Sequence, residues 1–327
     1  VIYLFDNRKL RCIDEIQKIP SLLDEVHSLI ESDGLRFILT GSNARKLKRG
    51  GANLLAGRAY TYHLFPLTWT ELGEEFELEK SLRIGLLPPL WQSADEVPDL
   101  FLTSYTETYL REEVAQEGLV RNIAPFVHFL DLAGHQDGEI VNYSSMARDC
   151  GVSVKTVQQY YQILEDTFLA FRIPAWHKSI RRRLVSHPRY YLFDPGITNI
   201  LARTLTPELN PEIRGRRFEQ FIVLQLLAAI HYQNLPFELA FWRTTQGLEV
   251  DILIVRGQQI LAALEIKSST SIHKTSLAGL YAFREEYADI PLFILGIRQL
   301  DRRLEGDIDL MDFRRFFEEA LPLLNKA

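Results

Sequence analysis

The stretch Leu248–Ser269, LEVDILIVRGQQILAALEIKSS, restricts the possible folds more than any other part of the chain. Valine, isoleucine and leucine crowd two runs of strand length, at 248–255 and 260–266, separated by a turn near Gly257. Side chains alternate along a strand, so Glu249 and Asp251 take one face while Val250 and Ile252 take the other. On the returning strand Glu265 and Lys267 share a face, with Ile266 opposite. Two carboxylates and a lysine are therefore expected to converge where the hairpin closes. A long helix, Phe218–Tyr232, and a strand at 237–243 come first, and Glu219 on that helix can reach the same edge. Carboxylate oxygens are hard donors that suit Mg2+ or Mn2+. A metal and a lysine together activate water and stabilise charge developing on a phosphodiester. A Glu-x-Lys on a strand is also a common cross-face ion pair, and the pattern alone leaves both readings open.

Residues 1–70 read as α/β. Strand-like runs at Val1–Phe5 and Phe37–Thr40 alternate with a helical pattern at Leu22–Ile30, in which Leu22, Val26, Leu29 and Ile30 share a face and Gly34 marks the stop. Asp14 and Glu15 sit side by side after a short apolar run that Arg11 interrupts. In P-loop ATPases a strand delivers an aspartate to the magnesium shell, and a following glutamate polarises the attacking water. Thr40, Gly41, Ser42 and Asn43 end the next apolar strand, where a polar side chain can sense a γ-phosphate, and Arg58 follows a glycine. From spacing alone the acidic pair also reads as a cap for the next helix. The phosphate-cradling motif G-x-x-x-x-G-K-[ST] occurs nowhere in the sequence. The chain begins at Val1 rather than methionine, which reads as a fragment or a trimmed chain.

Between these ends, residues 71–130 read as mostly helical, broken at Pro88-Pro89 and Pro98. A polar loop, Gly134 to Glu139, follows. NYSSMARDCGVSVKTVQQYYQILEDTFLAFRIP then has a helix-turn-helix rhythm. Ser144 and Ser145 are candidate caps of a first helix, Gly151 makes the turn, and Ser153 caps a second helix carrying Val157, Tyr160, Tyr161 and Leu164. A strand pair, Phe168–Ile173 and Arg189–Phe193, would complete a winged helix. Its basic tip, Lys178, Arg181, Arg182 and Arg183, and Lys155 near the start of the second helix are the candidate nucleic-acid contacts. Winged helices also serve as protein-binding modules, so DNA and a partner protein are both open.

Net charge is −6, which excludes a chain that is basic throughout and confines nucleic-acid binding to local patches. The two cysteines, Cys12 and Cys150, make neither a disulfide framework nor a zinc spacing, which points to a reducing cytoplasm. The longest apolar run, near Phe221–Ile230, is interrupted by Gln225 and is too short to cross a bilayer, and no signal peptide is present. No membrane role is expected.

IDEIQKIP, RFILTGSNARKLKRGGANLLAGRA and FPLT closely resemble a family of prokaryotic AAA+-type ATPases. In that family the phosphate loop lies upstream of the acidic pair. The resemblance implies that Val1 lies inside the ATPase core, with the first strand and phosphate loop absent, so that ATP with Mg2+ would be held only by an intact chain. It also implies that Asp14 is the magnesium-side acid, Glu15 the water-activating base, Ser42 or Asn43 the sensor and Arg58 the finger. The family's C-terminal half has no agreed function. Here Asp251, with 13 residues before Glu265-x-Lys267, resembles the PD-(D/E)xK nuclease superfamily. By that resemblance Asp251 and Glu265 are metal ligands, Glu219 the extra helical acid, and Lys267 positions the water.

The expected architecture is α/β. It comprises a partial P-loop ATPase core (1–70), a helical lid region (71–130), a winged helix (131–208) and a PD-(D/E)xK-like α/β domain (209–327). The expected function is an AAA+-type ATPase linked to DNA or to a partner protein, with oligomerisation open. The alternatives are a metal-dependent nuclease in the C-terminal domain and a non-catalytic binding module.

Overall fold

The computed structural model describes residues 2–4, 10–41, 59–92, 97–108, 120, 122–179, 187–269, 277–297 and 302–326. The chain divides into two compact units, residues 1–62 with 159–170, and residues 63–158 with 171–327.

In the first unit, strands β1 (Ile2–Leu4), β2 (Leu10–Ile13) and β3 (Arg36–Leu39) form a sheet in that order. β1 runs antiparallel to β2, and β2 runs parallel to β3. Parallel neighbours need a crossover, and the helix Leu22–Asp33 supplies it. Gly34 closes that helix at φ 61°, a left-handed conformation that glycine adopts without a Cβ penalty, and its N–H donates to Leu29 O. The buried side chains here are Ile13, Ile16, Leu23 and Val26, with Leu22 and Ile30 packed at the edge. Three residues of the expected stripe, Leu22, Val26 and Ile30, thus face the core, with Leu23 added and Leu29 outside the cluster. Leu23, Val26 and Ile30 stand three and four apart and stack on one side of the helix. Residues 159–170 carry the second part of the helix Val154–Asp166. Tyr160, Tyr161 and Leu164 are buried there, as core packing requires and base stacking does not.

The second unit is built on a six-stranded mixed sheet in the order β10-β11-β9-β8-β7-β6. Its strands are β6 (Glu238–Arg243), β7 (Glu249–Arg256), β8 (Gln259–Ile266), β9 (Leu292–Gly296), β10 (Arg302–Leu304) and β11 (Ile308–Asp312). The three expected strands thus appear within a residue or two of their predicted bounds, and β6, β7 and β8 pair antiparallel in sequence order. The helix Pro211–Tyr232 covers one face, with Phe218, Phe221 and Ile222 against Phe241, Ile254 and Leu264. The helix Ala278–Glu286 covers the other, with Leu280 and Phe283 among Val250, Leu253 and Ile294. It lies so close to β7 that a Cβ on Gly279 would fall 1.7 Å from Glu249 O.

One strand departs from simple alternation. Ala240 opposes Leu253 but Trp242 opposes Val250, so β7 carries one residue more than β6 between those pairs. Such a bulge re-aims the side chains around it. Val250 accordingly joins the core under Ala278–Glu286, whereas Ile252 joins the core under the long helix. The expectation that these two share a face is corrected by the inserted residue.

The helical segments before the sheet belong to the same core, since Leu82, Leu86, Ile173, Ala175 and Tyr191 share the cluster of the long helix. Pro89 and Pro98 open short helices, Pro89–Gln92 and Pro98–Ser104, rather than breaking one. The first helical position has no N–H to lose. Asn142, not Ser144 or Ser145, caps the helix Tyr143–Cys150 through a 3.0 Å bond from Ser145 N–H. Ser153 does cap the helix after Gly151, accepting from Thr156 N–H at 3.1 Å. β4 (Ala170–Ile173) and β5 (Arg189–Leu192) form a separate two-stranded sheet. The expected polar loop at 134–139 is partly interior. Gly134 ends buried in the helix Ile123–His135, and Asp137 pairs with the buried Arg217 at 3.2 Å.

Candidate functional site

The N-terminal acids stand at the carboxyl ends of two parallel strands. β2 ends at Ile13 and Asp14 follows; β3 ends at Leu39 and Thr40 follows. The Thr40 hydroxyl donates to Asp14 Oδ1 at 2.5 Å, while Thr40 N–H donates to Ile13 O at 2.9 Å. Glu15 has φ 55°, a region most non-glycine residues avoid. Its N–H donates to Thr40 Oγ1 at 3.3 Å, and its carboxylate lies 3.8 Å from Lys18 Nζ. Glu15 opens the short 3-10 turn Ile16–Lys18, and its side chain makes no capping bond there. The capping alternative is therefore not realised by Glu15. Ser42, Asn43 and Arg58 lie outside the described residues.

The C-terminal residues do assemble. Lys267 Nζ is 2.6 Å from Glu265 Oε1 and 3.9 Å from Asp251 Oδ2. Asp251 Oδ2 also accepts the N–H of Ile266 at 2.8 Å. The group lies at the open end of the β7–β8 hairpin, since Asp251 is near the start of β7 and Glu265 near the end of β8. Sequence reasoning placed it at the closed end; the turn at Gly257 is at the other end of both strands.

Glu219 joins from the long helix and accepts the Tyr191 hydroxyl at 2.6 Å. It shares a cavity of about 420 Å3 with Arg189, Tyr191, Arg243, Glu249 and Asp251. The long helix is held in register by a buried polar set on its inner side. Arg217 donates to Asn199 Oδ1 and Asp137 Oδ2, and Gln220 donates to Leu192 O and Thr198 Oγ1.

Crowding of acids in a desolvated place shifts their protonation. Burial, reinforced by Asp251, pushes Glu265 up to about 8. Burial, then the charge of Asp251, pushes Glu219 up to about 7. Burial by itself disfavours the Lys267 cation, but Asp251 and Glu265 outweigh it and hold Lys267 above its ordinary range.

Arg189, Tyr191, Arg243 and Glu249 are cavity residues that sequence reasoning did not select. The Arg189 guanidinium bonds to Glu249 Oε2, lies 3.6 Å from Glu219 Oε1, and sits 4.6 Å over the Phe241 ring. Arg243 Nε reaches Glu249 Oε1 at 3.0 Å. The only local signal for Arg189 is a charge opening an otherwise apolar strand, RYYL.

Chemically the donor set suits a hard divalent cation, and Glu265 Oε2 is buried without a hydrogen-bond partner. The arrangement does not suit one. Among the described residues no three His, Cys, Asp or Glu side chains are grouped to hold a metal ion. Glu219, Asp251 and Glu265 are brought into one cluster, with Arg189 and Lys267 seated among them as the positive charges.

Of the expected nucleic-acid contacts, Lys155 is exposed at the start of its helix. Lys178 is engaged, 3.4 Å from Glu286 and 5.0 Å over the Tyr287 ring. Arg181, Arg182 and Arg183 lie outside the described residues. His63 sets its ring 4.7 Å from that of His231. Among the described residues no helix is long and apolar enough to cross a membrane.

Residues 2–73 match a family described as an AAA domain. Residues 75–208 and 214–314 match two families described as domains of unknown function, DUF8612 and DUF4143. The chain is 27% identical over 274 residues to an uncharacterized protein of Mycobacterium tuberculosis, covering 82% of this chain and 61% of that protein. It is 23% identical over 272 residues to an uncharacterized protein of Methanocaldococcus jannaschii, covering 76% and 59%. An uncharacterized protein of Haemophilus influenzae is 21% identical over 201 residues, covering 57% and 50%. The chain thus spans about three fifths of the length of the mycobacterial relative it matches, at 61%. The AAA match at one end and the DUF4143 match at the other support an AAA-like ATPase family. The AAA match also points to nucleotide and Mg2+ use.

Proposed function

We propose that this chain is the body of an AAA+-type ATPase whose C-terminal half links nucleotide turnover to DNA. The observation that carries the reading is the bond from Thr40 to Asp14, which ties together the carboxyl ends of the parallel strands β2 and β3. Ligands of parallel α/β sheets bind outside the carboxyl ends of the strands. Asp14 fits the magnesium side of such a site. Thr40 holds one of its oxygens, and among the described residues the other takes no hydrogen bond. Glu15 follows in a left-handed conformation with its carboxylate 3.8 Å from Lys18 Nζ, and it takes the role of base for the attacking water. Bound ATP with Mg2+ would supply the transferable phosphoryl group and the charge that neutralises it. Asp14 would hold that metal and Glu15 would withdraw a proton from the attacking water.

The test is ATP turnover by the full-length gene product and its Glu15→Gln variant. A catalytic base is worth about 10²–10⁴-fold, and a loss in that range is expected. Equal turnover in the two proteins would remove Glu15 from the role.

The cluster at Glu219, Asp251, Glu265 and Lys267 favours a second reading for the C-terminal half, a PD-(D/E)xK-like module following a winged helix. With cations already seated among the acids, the binding role is favoured over cutting. Incubating the full chain with plasmid DNA and Mn2+ separates the two. A salt-sensitive mobility shift without cleavage supports binding; cleavage that Lys267→Ala abolishes supports a nuclease.

A further inference from the structure

We infer that Arg189, carried on β5, is the resident cation of the acidic cavity and is what keeps a divalent metal out of it. The inference rests on reading the cluster as a nuclease-like cavity. Four carboxylates, Glu219, Glu249, Asp251 and Glu265, crowd this end of the sheet. Lys267 answers two of them, Glu265 and Asp251, from β8's end. Arg189 answers the other two, with one branch on Glu249 and the second near Glu219.

The guanidinium is not a passing surface charge. Arg189 is 5% exposed, lies against the Phe241 ring, and has its backbone bridged to Ile140. A planar fork with two charged branches satisfies two carboxylates at once. A divalent ion placed beside Glu219 would face that fixed positive charge at close range in a desolvated site, where like charges repel strongly. Without Arg189, Glu219 would lose the cation paired with it and Glu249 would keep only Arg243, leaving excess negative charge beside Asp251, which is the condition a hard cation relieves.

The origin of the two partners matters. Arg189 lies within the segment matched at 75–208, and the four acids lie within the segment matched at 214–314. Access of metal to the acids is therefore set by how firmly β5 and Ile140 seat the arginine, and any displacement of that segment would open the cluster.

The test is Mn2+ binding, measured by calorimetry and by the loss of the free-Mn2+ paramagnetic signal, on the whole chain and on Arg189→Met. The wild-type protein is expected to take up little Mn2+. Arg189→Met should bind it at least about 10-fold more tightly, and Asp251→Asn added to that variant should abolish the gain. If the wild type binds Mn2+ through Asp251 as tightly as Arg189→Met does, the inference fails while the metal site stands. If neither binds and circular dichroism shows Arg189→Met folded, the exclusion role fails together with the metal reading. Should Arg189→Met not fold, Arg189→Gln decides. A neutral glutamine removes the charge while keeping a polar side chain, so it should bind Mn2+ more tightly than wild type, and unchanged binding overturns the inference.

Discussion

The two acidic groups of this molecule answer to different physics. Asp14 and Glu15 stand at strand ends in a small unit and lean on one threonine hydroxyl and one exposed lysine. Glu265 is buried at the edge of a large core, Glu219, Glu249 and Asp251 are half-buried near it, and Arg189, Arg243 and Lys267 match them. An exposed carboxylate can wait for a ligand because water solvates it. A buried one must find its counter-charge within the fold. The first group therefore reads as an incomplete site and the second as one whose charges are already answered.

The largest expected contrast comes from breaking one ion pair in each region. Arg217→Met strands the buried Asp137 and should cost about 3–5 kcal/mol in urea unfolding of the second unit. Lys18→Met removes the exposed partner of Glu15 and should cost under about 1 kcal/mol. Comparable losses would mean that the two regions do not differ in the way described.

A smaller contrast uses one glycine from each unit. Gly279→Ala forces a methyl group into Glu249 O and should destabilise by about 1–3 kcal/mol, with a loss of order around the acid cluster visible in NMR. At Gly34 there is open space, so Gly34→Ala costs only the left-handed backbone, about 1 kcal/mol. A larger loss at Gly34 would reverse the comparison.

The smallest effect is a slope in stability against pH. Glu265 is raised from an ordinary 4.5 to about 8 by burial and then by Asp251. The folded state thus binds a proton that the unfolded chain has released. This contribution is full below pH 4.5 and is lost as pH rises toward 8. Lys267, also held above its ordinary range, acts in the same direction but only at alkaline pH. Thermal unfolding followed from pH 5 to 8 should show the second unit weakening, and Glu265→Gln should flatten that decline. An unaltered slope in the variant would place the proton elsewhere.

Much of this was legible in the chain itself. The three strands after the long helix were readable because apolar residues dominate both of their faces, and Glu265 and Lys267 meet because they stand two apart on one strand. Asp14 found Thr40 because both follow strands that a single crossover makes parallel. The misplacements were of another kind. On Leu22–Asp33 the stripe gained Leu23 while Leu29 stayed outside the cluster, and Val250 parted from Ile252 because strand alternation does not register an inserted residue in a ladder.

Sequence alone determined which segments become helices and strands and which acids can stand beside a lysine, since these follow from spacing along one or two neighbouring elements. Tertiary structure alone decided that these acids gather at the open end of the β7–β8 hairpin, and that Arg189 lies among them. Arg189 precedes Glu249 by sixty residues. No local pattern spans such a distance, and only the packing of β5 and β7 around one core brings the buried Arg189 to the half-buried Glu249.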